Sequence, residues 1–89
     1  MKQCVLDGSQ LGDTDAIYRA LAEAFQFPRY FGNNPDALWD ALGDYGGESV
    51  AITWRHATQS ADVLGPRFAQ IVAVLQRAAA EGVLTLELA

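Results

Sequence analysis

The chain has 89 residues, enough for one domain and too few for two. It is 51% hydrophobic and 19% charged, a globular composition rather than a disordered one. Eleven acidic against six basic residues leave a net charge of −5, which argues against phosphate-backbone binding and favours a basic partner. The lone cysteine, Cys4, allows no internal disulfide. The apolar run at Cys4-Val5-Leu6 is cut off by Asp7 and Gly8, too soon for a secretory signal, and no window approaches the ~20 apolar residues of a membrane helix. These features predict a soluble, cytoplasmic protein whose residues 1–89 form a single domain.

Cys4, Val5 and Leu6 read as a short buried strand stopped by the turn Asp7-Gly8. Gly12-Asp13-Thr14-Asp15 supplies helix N-cap chemistry, and Ile17, Ala20, Leu21, Ala24 and Phe25 then recur on one helical face. Pro28 is expected to end that helix. An aromatic connection, Phe27 to Asn33, follows. Asn34 as N-cap and Pro35 at the first helical position open a second helix, which fades between Gly43 and Gly47. Ser49 to Trp54 is rich in β-branched and aromatic residues and reads as a strand. Residues 55–64 are ambiguous, with a short helix expected around Thr58 to Leu64. Pro66 opens a third clear helix with Phe68, Ile71, Val72, Leu75 and Ala79 on its apolar face, and Gly82 stands where a left-handed C-terminal residue belongs. Val83 to Leu88 reads as the last strand. Strands joined by helical crossovers make a small parallel sheet, so the fold class is α/β.

One segment carries more than fold. Between Arg29 and Arg55 there is no basic residue, while Asp36, Asp40, Asp44 and Glu48 all fall there. At about 100° per residue, the three aspartates lie at roughly 0°, 40° and 80° on the helical wheel, opposite Leu38 and Leu42 at roughly 200° and 240°. They form a single row turned away from the core. Like charges at this spacing oppose helix formation by about 0.2–0.5 kcal/mol per pair, although Asp36 in the first turn suits the helix dipole. A solvated acidic face would give the same pattern without any function. Trp39 flanks the row, and Tyr30 and Tyr45 are near in sequence. Each ring alone suggests core packing, yet rings beside carboxylates have the composition of a binding surface.

The segment Phe27-Pro28-Arg29-Tyr30-Phe31-Gly32-Asn33-Asn34-Pro35-Asp36-Ala37-Leu38-Trp39-Asp40-Ala41-Leu42 resembles the hallmark segment of the barstar family of intracellular ribonuclease inhibitors. The likeness runs along nearly the whole chain, through Trp54-Arg55 and the Ala80-Glu81-Gly82 turn. It implies a three-stranded parallel sheet with helices packed against it, and an inhibitor that plugs a ribonuclease active site with one helix and its preceding loop. Carried over, Asp40 takes the place of the substrate phosphate, Tyr30 packs on a catalytic histidine and Asp36 meets basic residues at the rim. Trp39 and Asn34 complete the patch, with Asp44 and Tyr45 beside it. The implied partner is a basic, secreted, guanyl-preferring microbial ribonuclease, held one-to-one by a protein that is a monomer when free. Four positions depart from the family pattern: Arg77 replaces a contact glutamate, Pro35 a contact leucine, Asp44 a glycine and Tyr45 a tryptophan. Two cysteine positions of the prototype hold Ala41 and Val83. These departures leave the inhibitory mode in place and the identity of the preferred ribonuclease open.

Rival readings are an enzyme, a metal binder and a mimic of nucleic acid aimed at another basic protein. His56 has no spaced cysteine or serine motif around it, and Cys4 in a strand is expected to be inert. Three aspartates on one straight helix cannot surround a cation, so no metal or cofactor is expected. Acidity alone leaves the third reading open. Asp40 is expected to matter far more to binding than an acidic residue elsewhere, such as Glu81.

Overall fold

The computed structural model describes residues 1–29 and 31–89. The strands are β1 (Lys2–Asp7), β2 (Val50–Arg55) and β3 (Leu84–Leu88), and the helices are α1 (Thr14–Phe25), α2 (Pro35–Asp44), α3 (Ala57–Leu64) and α4 (Pro66–Ala80). The strands form one parallel sheet in the order β1-β2-β3, with Cys4 beside Ile52 and Ile52 beside Leu86. Two pairs of helices make the crossovers. This is the α/β architecture that the alternation of strands and helices predicts.

Parallel sheets usually bury both faces. Here only one is buried. Cys4, Leu6, Val50, Ile52, Trp54 and Leu84 point into the core with Ile17, Leu21, Leu38, Leu42, Ile71 and Leu75 from the helices. On the other face Gln3, Thr85 and Glu87 are exposed and Val5 is 58% exposed. The expectation of a fully buried first strand is therefore corrected. The alternation Gln3-Cys4-Val5-Leu6 has period two, and Val5 falls on the uncovered side of an edge strand.

Helix boundaries follow local chemistry. Asp13 caps α1 by accepting from the Ala16 N–H at 2.8 Å, and Asn34 caps α2 by accepting from the Ala37 N–H at 2.8 Å. Pro28 does not end α1. Gln26 does, in a left-handed conformation at φ 58°, with its N–H on the Ala22 carbonyl. The second helix, α2, ends at Asp44 with Tyr45 as its C-cap, within the span from Gly43 to Gly47 where the sequence predicts it to fade. The ambiguous segment resolves into α3, entered through His56 at φ 54°. Along α4 it is Ala78 rather than Ala79 that is fully buried, while Gly82 at φ 82° turns the chain into β3.

The aromatic connection is bolted to the core through its phenylalanines. Phe27 stacks on Phe25 at 5.5 Å, and Phe31 touches both Phe27 at 4.9 Å and Tyr18 at 6.1 Å between ring centroids. Asn33 adds a side-chain hydrogen bond from its amide to Asp15 at 3.3 Å. These contacts fix where the N-terminus of α2 begins, and so where its exposed face points.

Candidate partner-binding surface

Leu38 and Leu42 are buried and anchor α2, which packs against α4. The opposite side of the helix therefore stands clear, and Asp36, Asp40 and Asp44 are all exposed on it. Among the described residues none of the three lies within ion-pair distance of a cation, the one ion pair being Met1 N-terminus to Glu48 at 3.7 Å. Asp36 suits the positive end of the helix dipole, but Asp44 sits at the negative end with no basic residue in that last turn. The row thus works against the stability of its own helix.

Asp40 and Asp44 form a ridge between two grooves. On one side a groove of about 440 Å³ runs between the aromatic connection and α2, floored by Phe25, Phe27 and Phe31 and closed by Tyr45. On the other a cleft of about 420 Å³ separates α2 from the end of α4, with Trp39, Ala78, Glu81 and Val83 on its walls. Each depression presents apolar or aromatic wall beside carboxylate. That combination suits a cationic side chain, whose stem or ring packs while its charge is met.

The site residues expected from sequence are thereby divided. Trp39 and Tyr45 do not make one wall of rings, because they face different grooves across the Asp40–Asp44 ridge. Tyr45 packs its ring edge-on against Phe25 at 5.0 Å and donates its hydroxyl to the Glu48 carbonyl, so it shapes the groove with its polar atom already engaged. Asn34 spends its side-chain oxygen on the helix cap, leaving the amide nitrogen for any partner. Tyr30 lies outside the described residues. Glu81 was missed as a neighbour of the ridge and is a poor choice of distant control, since it shares the cleft with Asp40 and Asp44. No signal along the chain joins Glu81 to Asp40; only the packing of α4 on α2 does.

Burial pushes the Cys4 thiol up, away from the reactive thiolate. Hydrogen bonds from the Ser9 hydroxyl and N–H hold the Asp7 carboxyl below its usual range. His56 is exposed at the turn before α3, far in sequence from the acidic row. Among the described residues no group of three or more histidine, cysteine, aspartate or glutamate side chains converges for a metal. Among the same residues no helix is long and apolar enough to cross a membrane.

Comparison with known families places the chain. The family model described as "Barstar (barnase inhibitor)" matches residues 1–86. The chain belongs to the barstar family. A relative in Bacillus subtilis (strain 168), YrdF, provisionally named a ribonuclease inhibitor, is 27% identical over 81 residues, covering 91% of this chain and 89% of the relative. The three-stranded parallel sheet with four helices is the fold that the sequence resemblance implied.

Proposed function

We propose that this barstar-family chain inhibits a secreted, guanyl-preferring microbial ribonuclease in a one-to-one complex, by binding and not by catalysis. The observation that carries the reading is the row of unpaired carboxylates on α2, Asp36, Asp40 and Asp44, the last two raised as a ridge between two grooves. An enzyme that cleaves RNA has a basic active site, and a row of fixed carboxylates competes there with the phosphate run of its substrate. Asp40, at the middle of the row and, like Asp44, on the rim of both grooves, takes the phosphate position that the family resemblance assigns to it. Asp36 and Asp44 extend the negative field along the helix. Trp39, Asn34 and Tyr45 surround the contact, and the family resemblance adds Tyr30 to it. The protein acts as a cytoplasmic monomer, as one domain of residues 1–89, and guards its cell against a nuclease meant for export.

The test is a titration of RNA cleavage by barnase and by a second guanyl-preferring bacterial ribonuclease, with the wild-type protein, Asp40→Ala and Glu87→Ala. Glu87 lies exposed on the uncovered sheet face and replaces Glu81 as the distant control. Stoichiometric inhibition is expected from wild type and Glu87→Ala. Truncating Asp40 is expected to cost ~2 kcal/mol or more, a loss of about 30-fold or greater; the barnase–barstar pair is itself the source of the upper range of that magnitude. Inhibition of neither enzyme would direct the acidic ridge to a different basic protein, such as one that acts on DNA.

A further inference from the structure

Trp39, one residue before Asp40, carries a cation on its ring. The guanidinium carbon of Arg77, in the last turn of α4, lies 4.3 Å from the centroid of the Trp39 ring. Arg77 is exposed, and its charge suits the negative end of the α4 dipole. Glu81 follows four residues on in the chain, close enough for a helix-type pair, and Asp36 and Asp40 lie on the helix opposite. Among the described residues Arg77 pairs with none of them within 4.0 Å and makes no side-chain hydrogen bond.

Stacking uses only the face of a guanidinium. Its five N–H donors lie in the plane of the group, and here, with the guanidinium carbon over the Trp39 ring, none of them is spent on a side-chain hydrogen bond among the described residues. A fork in this state matches a carboxylate through two parallel hydrogen bonds. A face evolved only to draw in a basic protein gains nothing from a cation placed beside its ridge, because that charge weakens the steering field. Contact chemistry explains the arrangement better than steering does.

We propose that Arg77 selects the partner: its guanidinium, held on the face of Trp39, takes an aspartate or glutamate side chain of the ribonuclease. The enzyme that fits this chain is therefore basic opposite Asp40 and acidic opposite Arg77. The inference deepens the inhibitory reading above and rests on it.

Association and dissociation rates of wild type, Arg77→Gln, Arg77→Glu and Arg77→Lys with the same two ribonucleases test it. They are read at about 0.1 M and about 1 M salt, between which the screening length falls from about 10 Å to about 3 Å. For the enzyme that wild type holds more tightly, Arg77→Gln and Arg77→Glu should each raise the dissociation rate about tenfold or more. The rise should persist at high salt, be larger for Arg77→Glu despite its added negative charge, and be partly recovered in Arg77→Lys. Arg77→Glu that only speeds association, with the gain lost at high salt and dissociation unchanged, overturns the proposal. Arg77→Gln keeps the test sound, since it removes the charge at nearly constant size from an exposed site. The two levels of failure separate cleanly. Wild type inhibiting neither enzyme, or Asp40→Ala inhibiting as well as wild type, removes the inhibitory reading and this inference together. Inhibition lost in Asp40→Ala with dissociation unchanged across the Arg77 series removes this inference alone.

Discussion

Trp54 shows how single side chains settle this fold. It is fully buried in the central strand, and its indole N–H donates to the Ser60 hydroxyl at 2.9 Å. Ser60 is the one buried polar side chain among the described residues, so that bond satisfies a donor with no route to water. Phe68 packs edge-on against the same ring at 5.0 Å. The neighbourhood is closed further by Gly8, whose N–H donates to the Arg55 carbonyl at 2.8 Å; a Cβ at Gly8 would strike the Ser60 Oγ and the His56 carbonyl. Ser60→Ala strands the indole N–H and is expected to destabilise the protein by about 1–3 kcal/mol. Urea unfolding of the variant measures it, with an unchanged midpoint as the contrary result. Neither the bond nor the Gly8 constraint is visible as a motif; six residues of separation say nothing until His56 turns the chain in a left-handed conformation.

At the scale of the element, α2 is a compromise between being a helix and being a surface. Asn34 and Pro35 start it well, and Leu38 and Leu42 tie it to the core. Asp44 at its negative end and Gly43 in its interior work the other way. The space around Gly43 is open, with nothing within 4 Å of a built Cβ. Nothing within the chain requires glycine there. Gly43→Ala should therefore stabilise the protein by about 0.5–1 kcal/mol, as read by chemical denaturation. Gly43 also lines the cleft beside Asp40 and Asp44, so a methyl added there narrows the cleft that the proposed complex uses. The same variant should bind the ribonuclease more weakly while unfolding later. Equal or tighter inhibition by Gly43→Ala would show that the contact does not reach this turn of the helix.

For the whole molecule, the decisive property is where the charge lies. Four carboxylates and no cation occupy the stretch between Arg29 and Arg55, out of a net charge of −5 for the chain. Exposed charges of one sign raise the encounter rate with a basic protein, and salt screens them. Association with the inhibited ribonuclease should slow by at least about tenfold between about 0.1 M and about 1 M salt, while dissociation changes little. Stopped-flow mixing reads both rates; a salt-independent association rate would mean that the acidic face is not what meets the enzyme.

Much of this was written along the chain. Helical periodicity set the apolar faces of α1 and α4, while a short apolar run before a turn, a β-branched and aromatic stretch and the last apolar segment set the three strands. Capping side chains at Asp13 and Asn34 set where α1 and α2 start, since unsatisfied N–H groups need local partners, and Pro66 opens α4 because its fixed φ suits the first helical position, where no N–H is needed. The acidic row was legible because i, i+4 spacing fixes a helix face before any packing occurs. What only the tertiary structure decided were the relations between elements. Which face of the sheet stays open depends on where the helices dock, so the exposure of Val5 follows from the layering and not from its own hydrophobicity. The entry of Glu81 into the cleft and the seat of Arg77 on Trp39 follow from α4 lying against α2, while the place of Tyr45 in the other groove follows from its packing on Phe25. Contacts between residues nearly forty positions apart leave no local signature, because they are made by packing faces and not by neighbouring backbone.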